Sequence, residues 1–194
     1  MRSATGLWSR TGLLALLGCL ALVIAVTVAT PDPAQDYRRR WDDVAVGAWG
    51  ELENASVRAT SVRLTRSLTT EYDTGLTSEA TFVVVTLEGR VRRQRVLFNE
   101  VTLHTRDDRR YEPRADYLTA GLGSTDPGFT RAGTAVFEVP DDRLQGAVLE
   151  VDRDKAAFDV YASAVRVDLG LTRRSPREPG PLLIPSSSTV TVTG

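Results

Sequence analysis

Cysteine, histidine, methionine and lysine are nearly absent from this chain. Its 194 residues hold one Cys, one His and one Met. With Cys19 alone, no intrachain disulfide can form, so an exported domain must hold together by packing. Zinc wants several Cys or His ligands, and beyond the apolar run around Cys19 there is only His104. Copper is disfavoured on the same ground, since the only Met is Met1. A nucleophile–His–acid set would need His104, and no G-x-S-x-G elbow accompanies it. His104 therefore reads as an exposed strand residue between Leu103 and Thr105. P-loop and dinucleotide glycine patterns are also missing, and Gly121-Leu122-Gly123 is too short to count. Calcium stays open, because Asp152 and Asp154 could ligate, but Arg153 and Lys155 interleave and no EF-hand loop matches. No carboxylate pair is singled out by spacing for glycan hydrolysis. The expectation is a non-catalytic chain with no cofactor and no metal. Net charge is −1, which argues against a general nucleic-acid binder. Lys155 is the only lysine, and the arginine bias reads as compositional.

One long apolar run is present. Residues 13–29 are uncharged, preceded by Arg2 and Arg10 and closed by Pro31 and Pro33. As a helix, the run spans about 26 Å, marginally enough for a bilayer core of ~30 Å. The flanking arginines favour a cytoplasmic N-terminus and place the rest of the chain outside. Trp8 sits where an interfacial aromatic would. Three readings compete: an uncleaved anchor over residues 1–30, a signal peptide cleaved after Thr27-Val28-Ala29, and a lipoprotein modified at Cys19. The anchor is favoured. Lipidation is disfavoured because only six apolar residues precede Cys19 and an apolar run follows it. Residues 31–43 then read as a charged, Pro-containing stalk.

From Val44 the pattern turns β, and no sustained 3.6-residue period appears again. The apolar fraction of 42% is ordinary for a globular domain. Trp49–Leu52 and Ala55–Leu64 read as strands joined at Glu53-Asn54. Val57 and Ala59 have the opposite parity to Val62 and Leu64, so a bulge or a switch of buried face is expected near Ser61. Residues 67–79 read as a polar loop. Thr81–Leu87 is apolar on both faces and should be central. Val96–Phe98 and Val101–Thr105 continue as strands. Pro127-Gly128 suits a type II turn, with Pro fixing φ and Gly accepting φ > 0. Ala135, Phe137 and Val139 alternate up to Pro140, which cannot donate to a ladder and should end the strand. Ala147, Leu149 and Val151 start another, and Val165, Val167 and Leu169 a last one. The spacing predicts an all-β, immunoglobulin-like antiparallel β-sandwich over residues 44–169, behind one N-terminal transmembrane helix. A small closed barrel is the alternative. Residues 170–194, with Pro176, Pro179, Pro181 and Pro185, read as a flexible tail, and a terminal strand through Val190 and Val192 as the lesser option.

The order FVVVTL (82–87), LHTRDDRRYEP (103–113), PGF (127–129), VFEVP (136–140) and LEV (149–151) resembles a bacterial extracytoplasmic family of immunoglobulin-like domains. That family is described as telokin-like, or immunoprotective extracellular antigen-like. The resemblance covers residues 45–169 and implies fold and location. The family's biochemical role is mostly unassigned, so it implies little about activity.

Arginine is the remaining signal. Arg90, Arg92, Arg93 and Arg95 lie in one connection, and Arg106, Arg109, Arg110 and Arg114 follow one strand later. If both connections meet at one end of the sandwich, they form an anion-binding patch suited to an acidic envelope protein or polymer. Pairing with Asp107, Asp108 and Glu112 would instead make them a solvated rim. The reading is a membrane-anchored, extracytoplasmic binding module. The competing classes are a carboxylate-dependent envelope hydrolase and a passive structural surface protein.

Overall fold

The computed structural model describes residues 40–71, 75–98, 100–114, 119–152 and 163–193. The apolar run 13–29 and the greater part of the expected stalk lie outside the described residues. Among the described residues no helix is long and apolar enough to cross a membrane.

The strands among the described residues are β1 (Arg40–Ala45), β2 (Gly50–Leu52), β3 (Ala55–Thr70), β4 (Leu76–Val91), β5 (Val96–Phe98), β6 (Glu100–His104), β7 (Arg110–Tyr111), β8 (Gly123–Thr125), β9 (Phe129–Val139), β10 (Val148–Asp152), β11 (Ser163–Asp168), β12 (Leu182–Ile184) and β13 (Thr189–Val192). They form a β-sandwich. The front sheet runs β1-β11-β10-β6-β7 and the back sheet β12-β3-β4-β9-β13, with β2 beside β3. The short β5 and β8 pair on their own. Among the described residues neither large sheet closes on itself, so the pair is a sandwich and not the closed barrel. The central pairings are antiparallel, but the edge strands β1 and β12 are added in parallel, to β11 and β3.

Alternation builds the core. On β4, Val83, Val85 and Leu87 point inward, and on β9 Ala135, Phe137 and Val139 do the same. They meet Leu103, Leu149, Val151, Val165 and Val167 of the front sheet. Each Val, Leu or Phe among them, fully buried, contributes about 1.5–3 kcal/mol. The parity conflict in β3 resolves as expected, with a register shift between Ala59 and Ser61. A second shift, between Thr65 and Ser67, puts Leu68 on the other face from Leu64. Leu68 joins Phe82, Val84, Val136, Leu182 and Ile184 in a separate cluster. The apolar character of β4 on both faces is thereby explained.

Pro127-Gly128 forms the expected turn, with Gly128 at φ 83 and the Phe129 amide donating to Asp126 at 3.3 Å. Strand β9 ends at Val139, before Pro140. Three expectations need correction. Arg40–Asp43, expected in the stalk, are in β1, because β11 offers them a free edge. Much of the expected loop 67–79 is strand, since β3 and β4 continue past the core as a long hairpin. The expected flexible tail carries β12 and β13, and Leu182 and Ile184 are buried.

Candidate binding surface

A polar row crosses the outer face of the front sheet. Register places Asp43 beside Arg166, Arg166 beside Glu150, and Glu150 beside Thr102. Each charged residue sits between inward-pointing neighbours, so alternation forces it outward. Glu150 is the hub. Arg166 Nη2 donates to its Oε1 at 3.2 Å, and His104 Nε2 lies 2.9 Å from its Oε2. The His104 approach is short but not aligned for a ring N–H to donate. Arg166 also lies 3.7 Å from Asp43 and stacks its guanidinium 4.2 Å from the Trp41 ring centre. A cation held over an indole face gains about 0.5–1 kcal/mol at a partly exposed site. The side chains of His104 and Glu150 are only 16% and 13% exposed, so His104 is not the freely exposed residue that its sequence position suggests.

An open groove of about 450 Å³ runs along this row, with Trp41, His104, Glu150 and Arg166 on its floor and Arg106, Asp108 and Arg110 at its rim. Arg106 and Arg110 are exposed, and no carboxylate of the described residues pairs with either. Arg110 also borders a second open groove, which holds Glu100, Thr102, Glu112 and Arg114.

The two arginine groups do not meet. The connection after β4 lies at the start of β9, where Arg90 pairs in register with Thr130 and Gly128 donates to the Val91 carbonyl. The connection after β6 lies at the far end of β9, where Asp107 contacts Arg143 just beyond Val139 at 3.5 Å. Nine residue steps separate Thr130 from Val139, about 30 Å at ~3.4 Å per step. The first group is also largely neutralised. Arg90 lies 3.9 Å from Glu51 and 4.3 Å from the Trp49 ring centre, and Arg58 lies 4.5 Å from the same ring. Arg92 pairs with Glu51 and donates to Ser56 Oγ at 3.2 Å. Arg95 grips Asp126 through two hydrogen bonds of 2.6 and 3.1 Å. That grip holds the Asp126 carboxyl below its ordinary range and raises the Arg95 guanidinium. Arg93 is exposed. In the second group Arg109 lies 4.0 Å from Asp107, whose carboxyl is lowered first by the Thr105 hydroxyl. Arg114 pairs with Glu138 at 2.6 Å.

Of the arginines singled out from sequence, Arg106 and Arg110 alone rim the groove. Trp41, Glu150 and Arg166 were not singled out. Their signal was a charged or aromatic residue at outward parity, but the strand order that joins them is not written in that signal. Asp152 is buried at the end of β10, while Arg153, Asp154 and Lys155 lie outside the described residues. Among the described residues no three His, Cys, Asp or Glu side chains gather as a metal site.

No family model matches the chain, including any for the telokin-like resemblance, and no curated protein matches. Three solved structures are similar. An uncharacterized β-sandwich protein from Clostridium difficile 630 aligns at 12% identity with a TM-score of 0.42, over 66% of this chain and 95% of its own. A candidate lipoprotein from Bacillus subtilis aligns at 14% and 0.43, over 62% of this chain and 38% of its own. A conserved hypothetical protein from Bacillus anthracis aligns at 14% and 0.45, over 62% and 94%. The β-sandwich assignment rests on the two packed sheets of this chain itself.

Proposed function

We propose that this chain is a non-catalytic binding module of the cell envelope. In this reading residues 13–29 anchor it in the membrane and the sandwich, of immunoglobulin-like type, stands outside. The binding face is the outer face of the front sheet, and its partner is an acidic envelope protein or polymer. The observation that carries this is the contrast between the two arginine groups. Arg90, Arg92 and Arg95 each have a carboxylate partner, whereas Arg106 and Arg110 stand at the groove rim with none among the described residues. Glu150, on the groove floor, already accepts from Arg166, so it repels an anion less than a free carboxylate would, and Asp108 is the other acid along the groove. With two unpaired guanidinium groups against the one carboxylate of Asp108, the rim is net positive, which steers and holds acidic partners, and does so less well as salt rises.

The test uses the full chain in detergent, with poly-glutamate and inorganic polyphosphate as probes. The variant Arg106→Glu/Arg110→Glu is expected to weaken binding about tenfold or more, and Arg92→Glu/Arg93→Glu to stay within about twofold. Equal loss in both variants would return the site to the β4–β5 connection or to net charge alone. No binding by the unaltered chain would leave the arginines a solvated rim.

A further inference from the structure

The last strand of the back sheet has a sequence that matches itself. Thr189-Val190-Thr191-Val192-Thr193 reads the same in both directions about Thr191. Strand β13 pairs with β9 on one side, and among the described residues it is the end strand of its sheet on the other. The Thr193 amide donates to the Gly128 carbonyl at 2.9 Å, so Thr189, Thr191 and Thr193 turn their backbone groups toward β9. By alternation, Val190 and Val192 turn theirs to the open edge. Open edges are usually protected by charge, proline, a bulge or a covering segment. Residues 189–193 hold no charge and no proline. Their pairing with β9 has no register shift. The side chains add an apolar strip: Val190 is 45% exposed, Val192 77%, and Phe129, opposite Val192, 39%.

We propose that β13 is a homodimer edge, pairing antiparallel with β13 of a second copy about a two-fold axis through Thr191. In that register Val190 faces the partner's Val192, and each residue of the pair donates its N–H to the other and accepts at its own C=O. The two symmetric pairs form four hydrogen bonds. Thr191 meets its own counterpart as a non-hydrogen-bonded pair, with Cα atoms about 4.5 Å apart. Thr189 faces the partner's Thr193, so no polar side chain opposes an apolar one. The strips of Val190, Val192 and Phe129 from the two copies then adjoin on one face. The uncharged, palindromic strand is what selects a second copy over another partner, because in this register like side chains oppose like, whereas sliding the copies two residues one way sets Ser188 against Val192.

The experiment is the oligomeric state of the full chain in detergent, by light scattering, together with oxidative crosslinking. Crosslinking is done in a Cys19→Ser background, which removes the only native thiol. Thr191→Cys is expected to give a disulfide dimer, since the paired Cα atoms fall near the usual range for a disulfide. Thr189→Cys is expected to give none, because its counterpart lies four residues further along. Val190→Lys/Val192→Lys is expected to give monomer, whereas Leu183→Lys, on the exposed side of β12 (56% exposed), leaves the dimer intact. A monomeric unaltered chain would overturn the proposal, and so would a dimer that survives the double lysine variant, which would assign association to residues 13–29. Capture of a different protein's strand would appear as a monomer without a Thr191→Cys crosslink, and would also overturn it.

Discussion

Gly50 faces Val165 with no room between them. A Cβ on Gly50 would stand 2.3 Å from Val165 Cγ1 and 2.8 Å from Cγ2. Gly50 is thus where β2, in the back sheet, crosses β11 of the front sheet. Gly50→Ala should destabilise the domain by about 1–3 kcal/mol through overpacking. Val165→Ala removes both clashing methyls at a cost of about 2 kcal/mol. The double variant should therefore cost less than the two single changes added, by at least about 0.5 kcal/mol. Denaturant unfolding of the four chains measures this coupling, and strict additivity would deny the contact.

Alternation made much of this sandwich readable, and its failures have physical causes. Ala135, Phe137 and Val139 point inward because one face of β9 is core along that length, and Pro140 stops the ladder there. The bulge near Ser61 was visible as a change of apolar parity in a single strand. The β3–β4 hairpin beyond Thr65 was not, because its Ser, Thr and charged residues carry little apolar alternation and look like loop, although Thr70 is buried. Strand β12 buries only Leu182 and Ile184, too few to outweigh four nearby prolines in a reading of composition. At the groove, the outward parity of His104, Glu150 and Arg166 was legible, but their adjacency needs β10 to lie between β6 and β11. The fate of the arginine patch likewise depended on which end each connection occupies, and spacing along the chain carries no such information.

Glu150 holds two cationic or polar neighbours in a largely buried position. Glu150→Ala would leave Arg166 with only Asp43 and the Trp41 ring, and His104 without its near neighbour. A loss of about 1–3 kcal/mol is expected, the usual cost of removing a hydrogen-bond partner from a charged group. Glu150→Gln, which keeps the shape, should cost less. Thermal unfolding of the two variants checks the order, and a reversed order would mean that shape rather than charge holds the row together.

Asp141 follows β9 and ties three segments together. The Thr81 hydroxyl on β4 donates to it, Arg66 on β3 donates at 2.6 Å, and Arg177 lies 3.0 Å away. The Thr81 hydrogen bond is the largest cause holding its carboxyl below the ordinary range. Burial opposes this, and Arg66 and Arg177 add to it. A carboxyl with a lowered folded-state pKa stabilises the fold above its unfolded value, near ~3.9. That contribution disappears as pH falls from there through the lower folded-state value. Asp141→Asn should therefore lower the melting temperature at pH 7 and shrink its difference from the unaltered chain below about pH 4. A difference that stays constant down to pH 2.5 would show that Asp141 acts through packing rather than charge. Asp107 and Asp126, also lowered, will keep part of the acid sensitivity in both chains.

Leu182 and Ile184 close the smaller apolar cluster over Leu68, Phe82, Val84 and Val136. Between them Leu183 points outward and is 56% exposed. The three residues form an internal comparison, because they are aliphatic, share one short strand and alternate in direction. Ile184→Ala should cost about 2–4 kcal/mol, in the range of buried Ile-to-Ala changes. Leu183→Ala should stay within about 0.5 kcal/mol, as surface changes do. Ending the chain after Leu171 would remove both buried side chains and the parallel pairing to β3. It would also remove the hydrogen bond from the Glu178 amide to the Leu64 carbonyl, 2.8 Å long. The uncovered face of β4 and β9 should then bind an apolar dye such as ANS, which the full chain should not. A truncated chain that melts with the full one and binds no dye would make the C-terminal segment a passive appendage. The measured costs at Ile184 and Leu183 would then have to be equal, so dye binding and the paired substitutions test the same claim by separate routes.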